Sequence, residues 1–147
     1  MTRTRPKFTV SSVLLTLILF QGCDRGGVDR VEIFGTVTWK GKPVPMGLVF
    51  FTPDAAKGNR GPQGFALIKD GRFDTRFEKS KGTVTGPHTV MINACNGRNI
   101  NRMRSYGDDM FVEQPTLQIE IPEAGGEINL VIPDSFVPAP VNTSESY

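Results

Sequence analysis

The chain is expected to be all-β: a single seven-stranded antiparallel Greek-key β-sandwich after an N-terminal signal peptide. Three observations carry that expectation. Apolar and polar residues alternate with period two in one segment after another, Gly, Pro and Asp-Gly punctuate the segments, and no helical period follows the N-terminus. About 125 residues lie beyond the leader, enough for one domain that buries most of its apolar surface without disulfide staples.

From Val31 to Trp39 the residues Val31, Ile33, Gly35, Val37 and Trp39 share one parity, while Glu32, Thr36 and Thr38 share the other, as a half-buried strand requires. Lys40-Gly41-Lys42-Pro43 breaks it. Within this strand Gly35 marks a bulge or the close approach of another backbone. Leu48 to Thr52 is apolar on both faces, which predicts a central strand stopped by Pro53. Asp54 to Gln63 has no apolar period and reads as a surface connection. Phe65 to Ile68 and Arg72 to Thr75 flank Asp70-Gly71, the strongest short-range hairpin signal in the chain. His88, Val90, Ile92 and Ala94 alternate with Thr89, Met91 and Asn93. Leu117 to Ile121 and Ile128 to Ile132 complete the set on either side of Gly125-Gly126.

The N-terminus carries different information. Arg3, Arg5 and Lys7 precede an apolar run from Val10 to Phe20, too short for a membrane span and the right length for a signal-peptide core. The segment Phe20-Gln21-Gly22-Cys23 resembles the lipobox of bacterial lipoproteins, although that family usually has Leu and a small residue where this chain has Phe20 and Gln21. The resemblance implies a signal peptide over 1–22, a lipidated (palmitate-type) Cys23, and a protein exported to the cell envelope and held on a bacterial membrane. An ordinary signal peptide cut elsewhere would instead leave Cys23 as a thiol. The tether, residues 23–30, is short: Asp24 to Arg30 reach at most about 25 Å fully extended, so the domain is expected close to the lipid surface.

The run Gly35-Thr36-Val37-Thr38-Trp39-Lys40-Gly41-Lys42-Pro43-Val44-Pro45, followed by Gly47 to Pro53, resembles the start of a carboxypeptidase regulatory-like domain. Asp70-Gly71-Arg72-Phe73, Gly82 to Val90, Tyr106, Leu117 to Ile121 and Gly126 to Val131 extend the similarity. It implies a transthyretin-like (prealbumin-like) sandwich over residues 31–133, followed by a disordered tail over 134–147. It resembles in particular the small single-domain lipoproteins of this type.

Charge and chemistry narrow the function. The chain carries 17 basic and 15 acidic residues, but three of the basic ones lie in the leader, so the remainder is close to neutral and nothing points to nucleic acid. One histidine, His88, stands after Gly86-Pro87 and reads as a turn or strand-edge residue. Hydroxyisourate hydrolases use several histidines and a C-terminal Tyr-Arg-Gly-Ser, and intradiol dioxygenases hold iron with two histidines and two tyrosines. The single His88 and the ending Ser144-Glu145-Ser146-Tyr147 match neither. No catalytic residue, metal ligand set or cofactor is assigned. Asp108, Asp109, Glu113 and Asp54 fall short of the oxygen ligands that calcium takes. Cys95 reads as a half-buried side chain.

Arg98, Arg102, Arg104 and Tyr106, in the polar stretch from Asn96 to Gly107, are the candidate binding residues. The expected role is a non-catalytic envelope module contacting an envelope protein or a polysaccharide. The alternatives are a metal-assisted hydrolase built on His88 and loop carboxylates, and an assembly subunit completed by strand addition at a sheet edge, which Pro45 and the strand-ending prolines would oppose.

Overall fold

β-branched and aromatic residues in period-two order form the strands, and the computed structural model describes residues 27–77, 79–96 and 110–139. Strand β1 spans Ile33–Trp39, β2 Lys42–Pro43, β3 Met46–Pro53, β4 Gly64–Lys69, β5 Arg72–Asp74, β6 Gly86–Cys95, β7 Thr116–Ile121 and β8 Gly126–Ile132. The seven expected strands are present, and the two-residue β2 is added where Lys42 and Pro43 fold back on Trp39 and Thr38.

One side of β1 pairs with β5 and then β2, and the path continues through β4, β3 and β6 to β7. β3 lies between β4 and β6, as its two apolar faces require. All these pairings are antiparallel. The other side of β1 takes β8 in a parallel ladder from Ile33↔Gly126 to Trp39↔Ile132. Parallel pairing follows from the route of the chain: β7 returns to the end at which β1 begins, so a strand leaving from there runs in the direction of β1. Only residues 122–125 join β7 to β8, so the two ends of the hydrogen-bonded path lie within roughly 18 Å at that point. The sheet therefore curls back on itself as a sandwich.

The interior is filled from both layers. Ile33, Val37, Phe73, Leu130 and Ile132 face Val49, Phe51, Val90, Ile92 and Ile121, all buried. The rings of Phe51 and Phe73 meet at 5.6 Å.

Two glycines are dictated by geometry. Asp70 and Gly71 both have positive φ, 50° and 73°, which matches the mirror-image turn that the right-handed twist of a hairpin favours. At Gly35 a Cβ would overlap the carbonyl oxygen of Ile128 on β8, so the parallel ladder closes only because that side chain is missing.

The tail differs from expectation over residues 134–139. Val112 N donates to Val137 O at 3.0 Å, Ala139 N donates to Met110 O at 2.9 Å, and the Phe136 ring lies 6.2 Å from that of Phe111. Proline-rich composition argued for disorder, but an aromatic residue with a ring to pack against outweighs it.

Candidate functional site

Strand direction sorts the connections into two groups. β1, β4, β6 and β8 begin at one end of the sandwich, where β3, β5 and β7 finish. That end receives the chain from Gly27 and also holds the 75–85 and 122–125 connections. The opposite end holds the Lys40-Gly41 and Asp70-Gly71 turns and both bases of the segment that links β6 to β7. β6 is ten residues long, so the ends stand about 30 Å apart.

At the far end, Met110 N donates to Ala94 O at 2.9 Å and fixes the base of that segment. Arg98, Arg102, Arg104, Tyr106, Asp108 and Asp109 belong to it and lie outside the described residues, as do Cys23 and the leader. Beside the base is a cleft of about 120 Å³ lined by Ile92, Ala94, Phe111, Glu113 and Pro115. Phe111 is buried and meets Trp39 edge-on at 5.0 Å, while Lys40 Nζ sits 4.7 Å from the Trp39 ring centre. The Trp39 Nε1 is shielded and has no hydrogen-bond partner among the described residues. Cys95 is half-buried at the end of β6.

His88 is not a turn or edge residue. It is fully buried in β6, with Nδ1 2.9 Å from the Gly86 carbonyl and Nε2 2.9 Å from Thr83 Oγ1. A carbonyl only accepts, so Nδ1 carries a proton and donates it; in the neutral ring Nε2 then accepts from the Thr83 hydroxyl. The inward parity of Val90, Ile92 and Ala94 extends to position 88, which is why the imidazole points into the core. Asp54 is close in the fold, since its N–H donates to Pro87 O, but its carboxylate accepts from Ala56 N at 3.0 Å and lies 3.7 Å from Lys57 Nζ. Glu113 is exposed at the opposite end. The structure does not bring these carboxylates to His88, and no group of three His, Cys, Asp or Glu is placed to hold a metal among the described residues.

No family model matches the chain, and no curated protein matches it. Among solved structures it is similar to a DUF3823 family protein from Parabacteroides merdae, with a TM-score of 0.41 and 14% identity over 71% of this chain. It spans 46% of the length of that protein.

The near end contains side chains that strand periodicity did not single out. Thr75, buried, accepts from Ile33 N at 2.9 Å, and its hydroxyl reaches Glu32 Oε2 at 2.5 Å and Ile33 O at 3.0 Å. Its neighbour Arg76 grips Asp74 in a two-point bond, Nε to Oδ1 at 2.9 Å and Nη2 to Oδ2 at 2.6 Å, and covers the Phe34 ring at 4.6 Å. Those bonds hold the Asp74 carboxyl below its ordinary range, outweighing the desolvation that opposes them. Next to them Phe77 stands 70% exposed. The available signal was an aromatic residue inside the charged run Arg76-Phe77-Glu78-Lys79, where no strand pattern explains it.

Proposed function

We propose that this protein is a lipid-anchored envelope module of the carboxypeptidase regulatory-like type, non-catalytic, that presents a binding surface away from the membrane. What supports the reading is the separation of the two segments that the sequence singles out. Residues 27–30 lead into the end where β1 starts, and Asn96 and Met110, which bracket the arginine- and tyrosine-bearing stretch in the sequence, stand at the other. A lipid on Cys23 would thus direct Arg98, Arg102, Arg104 and Tyr106 outward, toward an envelope protein or a polysaccharide. A polar, cationic segment with one aromatic suits either partner.

The metal-assisted hydrolase reading has less support, because His88 uses both ring nitrogens inside the sandwich. Zinc or calcium is expected to leave the melting temperature unchanged, whereas a metal site involving His88 would raise it.

The deciding experiment is the intact mass of the protein from host membranes, beside Cys23→Ser. A mass beginning at Cys23 plus lipid, with the variant released or unprocessed, is the expected result. An unlipidated mature chain that starts elsewhere would overturn the anchor. Crosslinking in the envelope then tests the outward surface: replacing Arg98, Arg102 and Arg104 together by Ala should abolish the partner adduct while leaving anchoring intact.

A further inference from the structure

We propose that Phe77, in the connection between β5 and β6, is a second membrane contact, seated in the interfacial layer of the same bilayer that holds the lipid on Cys23. The inference rests on the anchor reading, and it assigns a residue and an orientation that the anchor alone does not supply.

Three observations point to a lipid surface. Phe77 is the exposed phenylalanine among the described residues; the other described phenylalanines are buried or half-buried. It belongs to the end that receives the tether: Thr75 N donates to Ile33 O, Val31 N donates to Thr83 O, and Arg30 Nη1 donates to Gly82 O at 2.5 Å. The 75–83 connection is thus bonded on both sides to the first residues after the tether, and Val28, 55% exposed, lies on the tether itself. Finally, Cys23 is within about 25 Å of Arg30 even at full extension, so a lipidated chain cannot carry this end far from the bilayer.

The surroundings suit shallow insertion. Phenylalanine is among the residues that interfacial segments bury at the boundary of headgroups and acyl chains, and lysines beside it run their stems along the apolar layer while the ammonium stays in water. Lys79 and Lys81 are exposed on this connection. Carboxylates are present too: Asp74 is held by Arg76 and Glu32 by Thr75, and Asp29 and Glu123 are exposed at the same end, four acids among the described residues against Arg30, Arg76, Lys79 and Lys81. Charge at this end is therefore nearly balanced, and the contact is driven by apolar burial more than by attraction to anionic lipid.

The test uses the full processed protein in phosphatidylcholine–phosphatidylglycerol vesicles with brominated acyl chains. Trp39, the single tryptophan, lies at the far end of β1 and serves as an internal control. The emission added by Phe77→Trp should be lost to the lipid quencher, in low and high salt, while that of Trp39 is retained. Retention of both would overturn the contact. Loss of both would overturn the end-on orientation, and loss that vanishes in high salt would overturn insertion in favour of headgroup attraction by the lysines. The mass of the same sample tests the anchor separately. Without lipid on Cys23 the proposal falls with the anchor, whereas with the lipid present retention of the added emission overturns the contact alone.

Discussion

At Gly35 and His88 a single side chain, absent or present, decides whether two strands pack. Gly35→Ala drives a methyl group into the Ile128 carbonyl, and β1, paired with β5 on one side and β8 on the other, has little room to yield. It should cost about 2–4 kcal/mol, read as a lower urea midpoint at unchanged slope. His88→Ala removes a fully buried ring and strands the Thr83 hydroxyl, itself completely shielded. A cavity and an unsatisfied polar group act together there, for an expected loss of about 2–4 kcal/mol in the same measurement. The lone histidine had suggested chemistry or a turn. Its role is to join the start of β6 to the connection that precedes it.

At the scale of elements, the end of β5 and the segment after β8 are each held by contacts made outside the ladders. Arg76 lowers the folded-state Asp74 pKa, so the pair stabilises the fold above the unfolded carboxylate pKa, and this contribution is lost as pH falls through the folded value. The stability gap between the native protein and Asp74→Asn should therefore be constant above about pH 5 and close progressively below about pH 4, measured by urea unfolding across that range. The segment after β8 is pinned through Phe136. Phe136→Ala removes the ring that packs on Phe111, and a loss of about 1–3 kcal/mol is expected, since the site is half-buried. If 134–139 were a free tail, thermal melting of that variant would be unchanged.

At the scale of the whole molecule, the curled sheet gives its strands unequal protection. β3 is bonded along nearly its full length on both sides, by β4 and β6, whereas β7 and β8 each have one partner among the described residues. Native-state hydrogen exchange should find the slowest amides in β3 and β6, and faster exchange in β7 and in the outward-facing positions of β8. Uniform rates across all the strands would contradict the topology. The same architecture sets the polarity of the molecule, with residues 27–30 leading into one end and the base of the β6–β7 segment about 30 Å away.

The all-β class, the parity of β1 and β6, the Asp70-Gly71 hairpin and the central place of β3 were legible in the chain, because each depends on residues a few positions apart. Side-chain alternation, positive φ at a turn and two apolar faces leave local traces. The close approach at Gly35 was also legible, though not its partner. The parallel β1–β8 ladder, the bond between His88 and Thr83, the clasp of Thr75 on Ile33 and the docking of Phe136 were decided only by the tertiary structure. Those contacts join segments brought together when the sheet curls, and their energy comes from packing and desolvation that no local pattern encodes. For the same reason Phe77 is only an unexplained aromatic in the sequence; the fold sets it at the end where β1 begins.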